Sequence, residues 1–205
     1  MVALREDKGL SLRGAKPRSN LGGDDEEIAT LRSQLEAELS GWKQIAILGI
    51  GNELGGDDKL GFLAARRLKK ALSDTPRVEV LEAGSAPENF TGLLRKSSPS
   101  HVLLIDAAEL GERAGTIKLI EPHKIEKQMP STHSIPLCML VEYLEQEIGS
   151  KVIILGIQPK SLSFGTSMSD EVKSSVNQLL LSLPLILSAA NNLKDTSFCS
   201  SEAKV

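Results

Sequence analysis

Three short runs of almost uninterrupted apolar residues constrain this chain more than anything else in it: Gln44 to Gly49 (QIAILG), Ser100 to Asp106 (SHVLLID) and Lys151 to Pro159 (KVIILGIQP). A strand that faces solvent on one side alternates polar and apolar residues, whereas a strand covered on both faces does not have to. Strands of the second kind belong to α/β sheets sandwiched between helices. RVEVLEA, ending at Ala83, and the short TIKLIE after Gly115 supply two further strands. The expected class is therefore α/β, with three layers and a mostly parallel, twisted five-stranded sheet carrying helices on both faces.

Helical periodicities fill the intervals. Leu60, Leu63, Ala64, Leu68 and Leu72 recur at helical spacing behind Asp57 and Asp58, and Pro87 to Lys96 is a weaker helical stretch. Leu137, Leu140, Tyr143, Leu144 and Ile148 mark a helix with Pro136 in its first turn and Gly149 as its stop. A last helix starts near Ser169 and is expected to bend near Pro184. Ahead of the first strand, Asp24 and Asp25 precede Ile28, Leu31, Leu35 and Leu39, which predicts a helix ending near Gly41 and packing on the body as an appendage. The organisation expected is a disordered basic leader over 1–23, an extra helix over 24–41, a body over 42–190 and a disordered tail over 191–205.

Composition narrows the function classes. Six aromatic residues in 205 are few from which to build a stacking platform for single-stranded nucleic acid, and the net charge of -3 also argues against a nucleic-acid partner. The charge is uneven. Residues 1–20 hold five Lys/Arg and two acids, which leaves the remainder at -6. No apolar run near the N-terminus has the length of a secretory signal. The most apolar stretch, Leu179 to Ala190, is 12 residues interrupted by Ser182, Pro184 and Ser188, against about 20 for a membrane span. Cys138 and Cys199 form neither a disulfide framework nor a CxxC pair, so a reducing cytoplasm is the expected location.

In open α/β sheets ligands bind beyond the carboxyl ends of the strands, at the point where the strand order reverses. The loops after the first and third strands flank that point when the order runs 2-1-3. The first is GIGNELGGDDKLG, Gly49 to Gly61, with Glu53, Asp57 and Asp58; the third strand delivers Asp106. Asp57 and Asp58 also suit a helix start for dipole reasons alone, and Glu53 suits a loop surface. A carboxylate ending VLLID must either bond local N–H groups or face the site. Among the histidines, His101 and His123 read as surface residues. His133, in PSTHSIP, lies at or before the first turn of a helix, where the positive helix end keeps an imidazole neutral, as a metal ligand must be. A competing reading is a dinucleotide-binding oxidoreductase: Gly49, Gly51 and Gly55 make a GxGxxxG run after a strand, and Glu82 ends the second strand where a ribose acceptor could sit. Against it, three carboxylates in the cradle would repel a pyrophosphate.

GIGNELGGDDKLG, EAGSAPEN (82–89), LLIDAAELGERAGTI (103–117), STHSIPL (131–137) and LGIQP (155–159) occur in the order and context of the NiFe-hydrogenase maturation endopeptidases. The chain resembles that family over about residues 44–181, and the GSAPEN and GIQP segments are most similar to its hydrogenase 3 branch. The resemblance implies a cytoplasmic, monomeric endopeptidase with a HybD-like fold. Its partner would be the large-subunit precursor of a hydrogenase, from which it removes a C-terminal extension after nickel insertion. By motif position it implies Asp58, Asp106 and His133 as the trio that contacts the metal, with nickel supplied by the substrate and no permanent cofactor. Asp57 and Glu53 do not match the liganding position. The sequence departs from the family at Lys59, where Gly is usual, so that a cation stands beside Asp58. In SLSFGTSMSDEV only Gly165, Met168 and Ser169 keep the family pattern. Two carboxylates and an imidazole form an O,O,N set suited to a first-row divalent ion. A non-catalytic nickel-binding accessory protein remains a further alternative.

Overall fold

The computed structural model describes residues 21–121, 124–125 and 136–192. Along the chain the elements are α1 (Leu21–Glu38), β1 (Ile45–Ile50), a 3-10 turn (Asp57–Lys59), α2 (Leu60–Ala71), β2 (Val78–Gly84), a 3-10 turn (Pro87–Phe90), α3 (Thr91–Ser97), β3 (His101–Ala107), β4 (Ile117–Leu119), α4 (Leu137–Tyr143), a π turn (Leu144–Ile148), β5 (Lys151–Ile157) and α5 (Asp170–Asn192). The strands form one sheet in the order β2-β1-β3-β5-β4. β1, β2, β3 and β5 are parallel, and β4 runs antiparallel to β5 at the edge.

Alternation along the central strands fills two cores. Ile45 and Ile47 of β1, with Leu103 and Ile105 of β3, point to one side, where α1, α2 and α5 cover them. Ala46, Leu48, Val102 and Leu104 point to the other, beneath α3 and α4. The continuous apolar runs at the centres of these strands thus follow from burial on both faces.

The ends of several elements differ from the sequence expectation in instructive ways. Pro136 stands immediately before α4 rather than inside its first turn, in an extended conformation that the proline ring favours. Gly149 ends the following turn in the left-handed region, which costs a residue without a side chain little. α1 begins at Leu21, and its Leu35, with Leu39 directly after its end, is fully buried in the larger core. Just beyond it, the Trp42 indole N–H donates to the Leu187 carbonyl of α5 at 3.0 Å. α5 continues through Pro184 as one helix. Its length and apolarity alone would suit a membrane span, but Val172, Val176, Leu179, Leu183, Ile186, Leu187 and Ala190 face the core of this fold.

Candidate active site

The strand order reverses between β1 and β3. From β1 the connection crosses to β2 on one side, while β3 lies on the other, so the carboxyl ends of β1 and β3 open onto a shared crevice. The start of α2 sits directly over those two ends. A methyl group added at Gly61 would overlap the carbonyl oxygens of both Ile50 and Ile105, and one added at Gly49 would overlap the Gly61 carbonyl and the Ala65 side chain. Only glycine at both positions permits this approach. It brings the Asp57–Lys59 turn against β3, whose penultimate residue is Asp106.

Asp58 and Asp106 are thus delivered to the same end of the sheet, and both are buried, with relative exposures of 7% and 3%. Oδ1 of Asp106 accepts the N–H of Ala107 at 2.7 Å. Oδ2 of Asp58 accepts the N–H of Asn52 at 3.2 Å, its one hydrogen bond among the described residues. A carboxylate has room for about four such bonds, so Asp58 keeps capacity for a ligand. His133 lies outside the described residues. Among the described residues no group of three His, Cys, Asp or Glu side chains is assembled for a metal, and His133, the third member of the expected trio, is not one of them.

Neighbouring Asp57 has a different role. It is 1% exposed, and its carboxylate gathers four hydrogen bonds from the loop that follows β5: Lys160 N–H at 2.8 Å, Ser161 N–H at 3.1 Å, Ser169 N–H at 2.6 Å and Ser169 O–H at 3.0 Å. Both acids stand in the first turn of the 3-10 segment, where the dipole favours them, but that alone does not account for the bonds that Asp57 makes. Asp57 instead clasps a loop that sequence reasoning had no means to place beside it. More bonds reinforce the clasp: Gly56 N–H to Ser163 O, Asp57 N–H to Ser161 O, and Gly165 N–H to Leu54 O, each at 2.8 Å. The Lys59 ammonium joins it by donating to the Thr166 carbonyl at 3.0 Å. The cation that the sequence places beside Asp58 is therefore committed elsewhere.

Glu53 is the surface acid the sequence suggests, paired with Arg66 at 3.2 Å. Arg66 also binds Glu82 at 3.0 Å and lies over the Phe62 ring, and its pKa is raised chiefly by the hydrogen bond to Glu82. His101 is a correction. It is buried rather than superficial, with Nδ1 3.0 Å from the Ser100 hydroxyl. Standing at the opposite end of β3 from Asp106, it is about 16 Å from the crevice at the usual rise per strand residue.

The dinucleotide alternative fails on the same geometry. Pyrophosphate is bound by free backbone N–H groups. Those of Gly51, Asn52, Leu54, Gly55, Gly56 and Asp57 are all consumed inside the protein, by Gly84 O, Asp58 Oδ2, Asn52 Oδ1, Asn52 O, Ser163 O and Ser161 O respectively. Glu82, the candidate ribose acceptor, is held by Arg66.

Comparison with known proteins gives the family. The profile of the HycI hydrogenase maturation protease family matches residues 63–183, a span that includes Asp106 and His133 and begins just after Asp58. The chain belongs to the hydrogenase maturation protease family. It is thus a peptidase. A putative hydrogenase maturation protease of Methanocaldococcus jannaschii is 36% identical over 159 residues, covering 75% of this chain and 94% of that protein. The hydrogenase 3 maturation protease of Escherichia coli K12 is 38% identical over 131 residues, covering 63% of this chain and 82% of that one. Among solved structures, the HycI maturation protease of Thermococcus kodakarensis superposes with a TM-score of 0.69 at 34% identity, over 76% of this chain and 99% of its own. The five-stranded, mostly parallel sheet is the architecture of the family.

Proposed function

We propose that this maturation protease removes the C-terminal extension of a NiFe-hydrogenase large-subunit precursor, acting in the cytoplasm as a monomer, and that it recognises nickel already seated in that substrate through Asp58, Asp106 and His133. The observation that carries the reading is the delivery of two buried carboxylates, Asp58 and Asp106, to the adjoining ends of β1 and β3 in a chain of this family. Their chemistry fits the cargo. Two carboxylate oxygens and an imidazole nitrogen suit a first-row divalent ion, and the set contains no thiolate to retain one permanently. Three protein ligands would leave the metal free to keep its substrate ligands, so the ion would be read in place and no resident cofactor would be needed. Asp58 is the better disposed of the two acids to accept a new partner, having one N–H donor in place and its neighbouring cation directed to Thr166. A carboxylate in the crevice could orient the water that attacks the peptide carbonyl.

The test is mass spectrometry of a purified large-subunit precursor, with and without nickel, before and after adding this protein. Loss of a C-terminal peptide only from nickel-loaded precursor is expected, and Asp58→Ala and His133→Ala should each abolish it. Equal tail removal by either variant would overturn the ligand assignment; no tail removal by the unaltered protein would overturn the function.

A further inference from the structure

Gln158 is a buried polar residue with no part in the site described so far. It is 5% exposed and directly follows β5, with its backbone still in the ladder: its N–H donates to Thr116 O at 2.9 Å, and its carbonyl accepts Gly115 N–H at 2.8 Å. Its side chain is engaged chiefly by the segment that leaves β3. Oε1 accepts Leu110 N–H at 2.7 Å and, more weakly, Glu112 N–H at 3.4 Å. Nε2 donates to Glu109 Oε1 and to Pro159 O, each at 3.2 Å. That segment starts at Asp106. In β3, Leu104 and Ala108 face one core and Ile105 and Ala107 the other, so the Asp106 side chain lies on the face of Leu104 and Ala108. In β5, Ile154 belongs to the same face and Leu155 and Ile157 to the opposite one, which puts Gln158 on the face of Asp106.

Asp106 pairs with Gly156, two residues before Gln158, so the α-carbons of Asp106 and Gln158 stand about 8 Å apart at the usual strand spacing and rise. Ala108 fills the space over Gly156, where an added methyl group would meet Ala108 Cβ at 2.7 Å. The Asp106 carboxylate is keyed to this same stretch of backbone: its Oδ1 accepts Ala107 N–H at 2.7 Å, and Ala108 N–H is tied to Ile157 O at 3.0 Å. We infer that Gln158 is a positioning residue for the maturation reaction. By fixing the chain from Glu109 to Glu112 it holds Ala107, and through it the Asp106 carboxylate, in the orientation that meets the substrate's nickel. The residue type matters, because Leu110 needs an acceptor where Glu109 needs a donor, and one carboxamide supplies both. The inference rests on the maturation reading above and adds to it the means by which one of its acids is aimed.

The test is steady-state cleavage of nickel-loaded precursor at a temperature where circular dichroism shows every variant folded. Gln158→Met removes both kinds of bond at similar volume and should raise KM about tenfold, the equivalent of about 1.4 kcal/mol, with kcat within about twofold. Gln158→Glu keeps an acceptor for Leu110 but sets a carboxylate against Glu109, and should lose as much; it keeps the comparison open if Gln158→Met does not fold. Adding Glu109→Gln to Gln158→Glu exchanges donor and acceptor across the pair, and should bring KM back to within about threefold of the unaltered protein. Ser175→Ala loosens the far end of the same loop, where its hydroxyl donates to Gly115 O at 2.6 Å, and should leave KM as it is even if Tm falls. An unchanged KM in both Gln158 variants, with the unaltered protein active, would overturn the positioning role and leave the maturation reading intact. A loss that the double variant does not recover, or that Ser175→Ala reproduces, would assign Gln158 to stability alone and overturn the role as well. Failure of the unaltered protein to cleave would remove the maturation reading and this inference together.

Discussion

Adjacent carboxylates with opposite consequences offer the sharpest check on this site. Asp57→Ala removes an acceptor that serves three backbone N–H groups, those of Lys160, Ser161 and Ser169, together with the Ser169 hydroxyl. Each of these donors is partly buried, so water recovers part of what is lost. At about 1 kcal/mol per stranded N–H, the low end of the usual range, the substitution should cost about 3 kcal/mol. For a domain of this size each kcal/mol lowers Tm by about 2–4 °C, which gives a fall of about 6–12 °C. Asp57→Asn should lose nearly as much, because its amide nitrogen would face donors. Asp58→Ala gives up a single bond to Asn52 N–H and a charge buried with one partner, so its Tm should stay within about 2 °C of the unaltered protein or rise. Processing should be abolished all the same. Thermal unfolding followed by circular dichroism measures both. A Tm for Asp57→Ala within about 2 °C of the starting value, or a large fall for Asp58→Ala, would show that the division of labour between the two acids is wrong.

Other consequences can be checked in turn. Gly49→Ala should destabilise the protein by at least about 2 kcal/mol in denaturant titration, because its methyl group meets backbone at Gly61 and cannot be relieved by a rotamer change. Lys59→Gly should retain processing in the precursor assay, since the ammonium binds Thr166 O rather than Asp58; a gain of more than tenfold in kcat/KM would mean that the cation does obstruct the site. The Glu171 carboxyl is held below its ordinary value chiefly by the hydrogen bond from the Lys160 ammonium, whose own pKa the pair raises. The carboxyl midpoint should therefore move up in Lys160→Ala, as read by carbon NMR titration. Because Glu171 is depressed in the folded state, whatever the pair contributes is present above the unfolded carboxylate pKa and is lost as pH falls through the folded one. Both groups are exposed, so salt should diminish the shift.

Much of the architecture was legible because its signals are local. Continuous apolar runs announced β1, β3 and β5, and helical spacing announced α2 and α5, because burial on both faces and on one stripe leave different periods in the sequence. Direction was not legible for β4, since three residues of edge strand carry no mark of parallel or antiparallel pairing. The acids of the site stood out by position at strand ends, but their roles did not. The partners of Asp57 lie 103 to 112 residues further along the chain, and no spacing rule links them. His101 misled because a histidine beginning a strand is ordinarily solvated, whereas this one has Ser100 as a partner.

The seam between the first and last helices has a practical corollary. Trp42 is the protein's sole tryptophan, and its indole is buried against the end of α5, with Gly41 N–H also bonded to the Ala190 carbonyl. Intrinsic fluorescence excited at the indole band will therefore report this one junction and no other. A red shift in emission that precedes the loss of the far-ultraviolet signal would show the two ends of the fold parting before the sheet does; coincident transitions would show that both are fastened into one cooperative unit.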